Sequence, residues 1–219
     1  MIVITGASEG IGFACASRVL ERTDATVLIT GRSANKLERA RNLVPASARS
    51  RLRTAVSDQS RRDDVERLIG RLREADAVEG AILTVGVNPA YALGFRRLHL
   101  LEPTAVEPTI TTNCTHTVLL TVALLDRFRR QGRGALVWVG SRAATTGLPG
   151  AALYSATKSF LSGLARATAL EYGRHGIRVH LAHPGLVRTP RTAAVADGFA
   201  ARHAVPMDEP GAVGDRIVD

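Results

Sequence analysis

The chain has 219 residues, of which 45% are hydrophobic and 22% charged, and this composition excludes disordered and fibrous proteins. No segment approaches the roughly 20 consecutive apolar residues of a membrane helix, and the apolar start at Met1 lacks the basic flank of a secretory signal. We therefore expect a cytoplasmic protein without a membrane partner. Two cysteines, Cys15 and Cys114, are too few for a disulfide framework, and no Cys/His cluster has zinc-ligand spacing, so no metal site is predicted.

The net charge of +9 raises the possibility of a nucleic-acid partner. All of the Lys and Arg residues except Lys36 and Lys158 are Arg, and the densest stretch, Arg39 to Arg73, alternates with acidic residues as a solvated helix surface does. Aromatic residues make up only 4% of the chain, which is too few for base stacking. We expect no nucleic-acid partner.

Short β-branched runs alternate with longer helical patterns from one end of the chain to the other. The predicted strands are Ile2 to Thr5, Thr26 to Thr30, Leu52 to Val56, Gly80 to Val85, Ala135 to Gly140 and Arg178 to Ala182. The predicted helices are Gly10 to Arg22, Ala34 to Leu43, Arg61 to Ala75, Ala105 to Arg129 and Ala151 to Tyr172. Because parallel strands require such crossover connections, the pattern predicts one α/β domain over residues 1–219, with a doubly wound, Rossmann-type parallel sheet flanked by helices.

The first strand leads directly into a glycine-rich turn and then a helix. Glycines permit a tight turn and a close backbone approach, and the free amides of a helix N-terminus can bind a pyrophosphate. Glycines also serve ordinary turns, but the position between strand and helix favours a dinucleotide site. Its predicted contacts in Thr5 to Gly12 are Gly6, Ser8, Glu9, Gly10, Ile11 and Gly12.

The residues after the second strand bear on the choice of cofactor. An enzyme for the unphosphorylated cofactor would carry an acid here, but the chain has Arg32 and Ser33, which suit the 2′-phosphate of NADP(H). The alternative is that Arg32 is one more surface Arg in an Arg-rich chain. Glu9 favours the unphosphorylated cofactor instead, since it adds negative charge near the pocket for the 2′-phosphate.

A second group of residues has the chemistry of a general acid. Tyr154 and Lys158 are four residues apart and share a helical face, so the ammonium can stabilise the phenolate. Ser141 stands upstream, at the end of a strand. A surface Tyr and Lys on an exposed helix is the alternative interpretation.

Taken together, the Gly6 to Gly12 turn, Asn113, Ser141, the Tyr154/Lys158 pair and Pro184-Gly185 resemble the motifs of the short-chain dehydrogenase/reductase family, in its single-domain branch with TGxxxGxG and YxxxK. The resemblance extends from Met1 to about Thr189. It implies that Tyr154 exchanges a proton with the substrate oxygen and that Ser141 polarises the carbonyl. It also implies that Lys158 binds the nicotinamide ribose and lowers the pKa of Tyr154, and that Asn113 holds a water in the proton relay.

The same resemblance assigns further cofactor contacts and an assembly. Asp58 matches a residue that contacts adenine, and the other implied contacts are Gly86, Pro184, Gly185, Val187 and Thr189. Leu83-Thr84-Val85-Gly86 keeps only the glycine of the family's Asn-Asn-Ala-Gly. The chain stops at Asp219, inside the helix before the family's seventh strand, so we expect this edge strand to be missing. A homodimer is expected through the helices Ala105 to Arg129 and Ala151 to Tyr172.

These observations predict an NADP(H)-dependent oxidoreductase that moves a hydride between the nicotinamide and the carbonyl or secondary alcohol of a small organic substrate. The alternative is a non-catalytic NADP-binding sensor or scaffold. We expect the substrate pocket to be formed by Val87 to His99, Ala143 to Leu153 and Leu186 to Phe199, with Arg142, Arg188 and Arg191 nearby. Such a pocket suits a mostly apolar substrate with one anionic group.

Overall fold

The computed structural model describes residues 1–193, 198, 200 and 206–219. In this part of the chain, six parallel strands form one sheet with the order β3-β2-β1-β4-β5-β6. The strands are β1 Ile2–Thr5, β2 Val27–Gly31, β3 Leu52–Val56, β4 Gly80–Leu83, β5 Gly134–Val139 and β6 Ile177–Ala182. The predicted doubly wound α/β fold is confirmed. The strand order reverses between β1 and β4, and ligands bind at such a reversal, beyond the carboxyl ends of the strands.

Helices cover both faces of the sheet. They are α1 Gly10–Arg22, α2 Ala34–Leu43, α3 Ala46–Arg49, α4 Arg62–Glu74, α5 Ala90–Leu93, α6 Val106–Ile110, α7 His116–Gln131, α8 Ala143–Thr146, α9 Ala152–Tyr172 and a last described helix, Pro210–Val218. Short 3₁₀ segments lie at Leu98–Leu100, Pro103–Ala105 and Gly173–His175. None of the described helices has the length and apolar character needed to cross a membrane.

The predicted helical stretch from Ala105 to Arg129 is found as helix from Val106 to Gln131, but it is not a uniform α-helix. A π-helical turn, Thr111–Thr115, separates α6 from α7. Such turns insert one residue into the helical repeat and are frequent at functional sites. Here the turn contains Asn113, whose side chain forms hydrogen bonds with the Val87 backbone in the loop after β4.

Two hydrophobic cores lie on opposite faces of the sheet. Trp138 and Phe128, both fully buried, belong to the core beneath α4, α7 and α9, and the Trp138 indole nitrogen donates to Thr121 Oγ1 at 3.2 Å. Ile4 and Ile29 belong to the core beneath α1 and α2. Because helices cover both faces of the sheet, the strands consist mainly of apolar residues. Polar functional groups therefore lie beyond the strand ends.

No seventh strand joins the sheet in the part of the chain that the structure describes. A separate two-stranded pair, Leu186–Val187 with Met207–Asp208, follows β6. The helix Pro210–Val218 packs closely on α1, because a Cβ at Gly214 would lie 3.0 Å from the Ala14 backbone. Asp215 pairs with Arg18 at 2.8 Å and with Arg22 at 2.7 Å across this contact.

Candidate active site

A cleft of about 910 Å³ opens at the carboxyl ends of the central strands. It collects every predicted site residue except Asn113. The residues that line it are Gly6, Ser8, Glu9, Gly10, Ile11, Gly12, Arg32, Ser33, Asp58, Gly86, Ser141, Tyr154, Lys158, Pro184, Gly185, Val187 and Thr189.

The turn between β1 and α1 has no room for side chains at its glycines. Gly6 has a φ of +63°, and a Cβ there would lie 2.9 Å from Thr84 Oγ1. A Cβ at Gly12 would lie 2.6 Å from the Gly6 carbonyl oxygen. No side chain caps the N-terminus of α1, so its first amides are left for a ligand. This turn therefore fits the pyrophosphate of a dinucleotide.

Charged and polar groups gather where β2 leads into α2. Arg32 is exposed and has no ion-pair partner in the described part of the chain. Ser33 caps α2 by accepting from the Lys36 amide at 3.3 Å. Lys36 Nζ pairs with Glu9 Oε2 at 2.9 Å, so the carboxylate expected to disfavour a phosphate is balanced by a cation. Sequence reasoning missed Lys36, although its rarity as a lysine and its place one turn after Arg32 were the available signals.

The loop after β3 is fixed at the predicted adenine end of the cleft. Asp58 accepts hydrogen bonds from the Ser60 amide at 2.9 Å and from the Ser60 hydroxyl at 2.8 Å. Its own amide donates to Asp64 Oδ2 at 2.7 Å. On the other side, His116 Nδ1 lies 2.6 Å from the Gln59 carbonyl oxygen, which ties the loop to α7.

Tyr154 and Lys158 lie in the first turns of α9. Lys158 is buried, its Nζ donates to the Val139 carbonyl oxygen at 2.9 Å, and the same nitrogen lies 5.8 Å from the centre of the Tyr154 ring. Gly86 gives the ammonium its space, since a Cβ there would lie 2.8 Å from Nζ. A side chain at this glycine, the one retained from the family pattern, would therefore displace the Lys158 ammonium.

Burial dominates the protonation of both groups. It raises the pKa of Tyr154 to about 12, an increase to which the Tyr91 phenol adds and which the Ser141 hydrogen bond and the Arg191 charge partly offset. It lowers the pKa of Lys158 to about 8. The expected lowering of the Tyr154 pKa by Lys158 is not found in this geometry, where burial of the phenol has the largest effect and Lys158 does not contribute. At neutral pH, Tyr154 therefore carries a proton that it can donate.

Ser141 stands at the end of β5 and is held from two sides. Its hydroxyl accepts from the Ala143 amide at 3.2 Å. His183 Nδ1 lies 3.3 Å from the Ser141 amide nitrogen and 2.9 Å from its carbonyl oxygen. His183 comes directly before Pro184-Gly185, so it links that loop to the serine. The sequence had no signal for this contact.

Asn113 supports the site from behind the cleft wall. Its Oδ1 accepts from the Val87 amide at 2.7 Å, and its Nδ2 donates to the Val87 carbonyl oxygen at 2.8 Å and to Thr157 Oγ1 at 2.9 Å. The side chain thus joins the loop after β4 to α9. Both of its amide hydrogens are in use, and the water-holding role stays a prediction.

The altered segment after β4 has its own support. Thr84 Oγ1 donates to the Thr5 carbonyl oxygen at 2.5 Å, and the Thr84 amide donates to Thr5 Oγ1 at 3.2 Å. These bonds join the ends of β1 and β4, the two strands between which the cleft opens. The segment Leu83–Gly86 is therefore held in place without the family's asparagines.

The predicted substrate walls meet at the other end of the cleft. Val87, Tyr91 and Phe95 line it from one side, and Leu148 and Arg191 line it as well. Arg188 does not line it and pairs with Glu209 at 3.3 Å. Part of the predicted wall Leu186 to Phe199 lies outside the described residues.

Comparison with known proteins agrees with this architecture. The family model described as "short chain dehydrogenase" matches residues 1–198. "Dehydrogenase/reductase SDR family member 4" of Bos taurus is 30% identical over 187 residues, which are 85% of this chain, and the chain spans 65% of that relative's length. "Cis-4-hydroxycyclohexanecarboxylate dehydrogenase" of Sinomonas cyclohexanicum is 33% identical over 192 residues, which cover 87% of this chain and 74% of that one.

Solved structures have the same fold. A short-chain dehydrogenase from Sphingobium yanoikuyae in complex with NADPH has a TM-score of 0.82 at 27% identity, covering 98% of this chain and 81% of that one. A 3-ketoacyl-(acyl-carrier-protein) reductase from Brucella melitensis complexed with NADH has a TM-score of 0.85 at 22% identity, covering 98% and 87%, and this likeness concerns the fold alone. The two titles name different nicotinamide cofactors, so the preference of this chain has to be argued from its own residues.

Proposed function

Because this chain belongs to the short-chain dehydrogenase family, we propose that it moves a hydride between NADP(H) and the carbonyl or secondary alcohol of a small organic substrate. The observation that carries the proposal is the position of Tyr154, which lines the same cleft as the glycine turn and as Ser141, whose side chain offsets part of the rise in the Tyr154 pKa. One cleft thus joins a dinucleotide cradle to a proton donor.

Each reacting group has a distinct task in this proposal. When bound, the cofactor supplies or accepts the hydride at the carbonyl carbon. In the direction of reduction, Tyr154 Oη gives its proton to the carbonyl oxygen, which becomes the alcohol hydroxyl. Ser141 donates a hydrogen bond to the same oxygen and stabilises its developing charge. Lys158 holds positive charge beside the phenol and binds the nicotinamide ribose.

The preference for NADP(H) rests on the end of β2. Arg32 offers an exposed guanidinium without a carboxylate partner among the described residues, and Ser33 and the N-terminus of α2 lie beside it. Lys36 adds a second cation and neutralises Glu9. These residues would hold the 2′-phosphate, and the complex of the Sphingobium yanoikuyae relative with NADPH is consistent with this choice.

A homodimer remains our expectation for the assembly. Val122 on α7 and Phe160 and Leu170 on α9 are large apolar side chains, exposed by 60%, 42% and 84%. Burial of such residues against a second copy would remove apolar surface from water. Sedimentation at micromolar concentration tests this, and a Val122→Asp/Leu170→Asp variant would sediment as a monomer. The cytoplasmic location stays a sequence-based prediction.

A carbonyl library screened for NADPH oxidation tests the proposed activity, with calorimetric titration of NADPH as a parallel readout. The relative from Sinomonas cyclohexanicum is named for a hydroxy acid, so cyclic keto acids belong in the library. We expect NADPH binding and turnover of at least one carbonyl compound. NADPH binding without any turnover would favour the sensor or scaffold instead. Failure to bind NADPH or NADH would refute both the oxidoreductase and the sensor or scaffold.

A further inference from the structure

Arg191 is a cation at the substrate end of the cleft. It follows the Thr189 loop, and its Nη1 donates to the Gly86 carbonyl oxygen at 2.7 Å. This bond holds the guanidinium beside the catalytic wall, where its charge offsets a small part of the rise in pKa that burial causes in Tyr154 and Tyr91. No carboxylate of the described residues pairs with Arg191, so its other N–H groups are available to a ligand.

The three arginines that the sequence placed near the pocket differ in their surroundings. Arg188 lies outside the cleft lining and pairs with Glu209. Arg142 lines the cleft but its guanidinium lies against Gly185, where a Cβ would be 3.6 Å from its Nε. Of the three, Arg191 is therefore the arginine placed at Tyr154.

Two neutral groups lie on the same side of the cleft. Asn88 is buried, and its Oδ1 accepts from the Ala90 amide at 3.1 Å, which fixes the direction of the amide group. Its Nδ2 has no hydrogen bond of normal geometry within the described part of the chain, and its amide interacts with the Tyr91 phenol, where it offsets part of the rise in pKa that burial causes. The nearby Tyr91 phenol is half-buried, with its ring edge-to-face on Phe95.

The charge of this end of the cleft is one-sided. The carboxylates that line the cleft among the described residues are Glu9 and Asp58, both at the cofactor end. Glu9 is paired with Lys36, and neither carboxylate forms an ion pair with Arg191. A ligand that brings an anion would meet a guanidinium and a buried donor with no competing carboxylate.

We propose that Arg191, assisted by Asn88 and Tyr91, binds a carboxylate of the substrate, so that the substrates are keto acids or hydroxy acids rather than neutral ketones. The inference rests on the proposed function for the reaction itself. A guanidinium binds a carboxylate through two parallel hydrogen bonds, and a charged hydrogen bond is worth more than a neutral one. Arg191 bonds to Gly86, and Gly86 packs against Lys158 beside the Tyr154 ring, so a single small molecule can contact both Arg191 and Tyr154.

Calorimetric titration of the NADPH-saturated protein tests this without requiring turnover. The probes are butanoate, cyclohexanecarboxylate and benzoate, each paired with its primary amide, which has the same shape without the charge. We expect at least one acid to bind about tenfold or more tightly than its amide, and Arg191→Met to abolish that difference. Arg191→Lys should keep part of it. Arg188→Met is the matched control, a neighbouring arginine outside the cleft, and should bind the probes as the wild type does.

The outcomes separate this inference from the proposed function. Equal binding of acids and amides by the wild type, or an unchanged difference in Arg191→Met, would overturn the inference. It would equally fail if Arg191→Met weakened NADPH binding as much as acid binding, because Arg191 would then serve the cofactor phosphates. Turnover of neutral ketones with no preference for acids refutes the inference alone, whereas acid binding through Arg191 without turnover of any carbonyl compound refutes the proposed function.

Discussion

The buried ammonium of Lys158 should make the stability of the fold depend on pH above pH 8. Lys158 is only 4% exposed, and burial lowers the pKa of its ammonium from 10.5 to about 8. In the unfolded chain the pKa returns to its ordinary value, so between pH 8 and 10.5 the unfolded chain binds more protons than the folded one. The free energy of unfolding therefore rises with pH through this window, and the cost of the buried charge is fully present below pH 8.

The size of the effect follows from the two pKa values. Their difference corresponds to about 3 kcal/mol over the whole window, of which about 2 to 3 kcal/mol falls between pH 7 and pH 10. Replacing Lys158 with Met removes this contribution. It also removes the hydrogen bond to Val139, and any change in that bond as the ammonium loses its proton is already contained in the folded-state pKa of Lys158.

Urea unfolding at pH 7 and pH 10 measures the effect in the wild type, in Lys158→Met and in Lys36→Met. Lys36 is the matched control because it is the chain's other lysine and 51% of its side chain is exposed. From pH 7 to pH 10, the wild type should gain about 2 to 3 kcal/mol relative to Lys158→Met, and less than about 0.5 kcal/mol relative to Lys36→Met. Groups that do not interact with either lysine titrate alike in all three proteins and cancel in the differences. A wild-type advantage over Lys158→Met that stays constant or falls with pH would refute the reasoning.

Three further changes test the site. Arg32→Ala should lower the ratio of NADPH to NADH affinity by about tenfold or more, as measured by calorimetry, because the 2′-phosphate loses a charged hydrogen bond; Arg39→Ala, an exposed arginine of α2, is the control and should keep the ratio. Gly12→Ala should weaken binding of both cofactors by about tenfold or more, since its Cβ would be 2.6 Å from the Gly6 carbonyl oxygen, and normal binding would contradict the tight turn. Ser141→Ala should lower kcat by about a hundredfold with little change in KM in steady-state assays, and a change in KM alone would contradict its role in the chemical step.

Much of the fold could be predicted because its signals are local. The β1 strand and the helices α1 and α2 have the predicted bounds, since β-branched runs, glycines and the Ser33 cap mark their ends. Strand β3 also has its predicted bounds, and the remaining strands, β2, β4, β5 and β6, differ from prediction by one or two residues at one or both ends. Because parallel strands align their carboxyl ends, the predicted cofactor and catalytic residues, with the exception of Asn113, line one cleft.

The features that sequence reasoning missed depend on contacts between distant segments. The π-helical turn Thr111–Thr115 exists where Asn113 bonds to Val87, and no helical periodicity encodes that bond. Thr84 replaces a family asparagine by bonding to Thr5, and Arg191 reaches Gly86 from far along the chain. Each contact joins loops whose approach is set by the completed sheet.

The measurement that tests the central claim most directly is the turnover of Tyr154→Phe, determined with NADPH and a carbonyl substrate found by the screen. The substitution keeps the ring and removes only the phenol that would donate its proton to the substrate oxygen. We expect kcat to fall by about a thousandfold or more while the Kd for NADPH changes less than about threefold. Turnover near the wild-type value would contradict the assignment of Tyr154 as the proton donor.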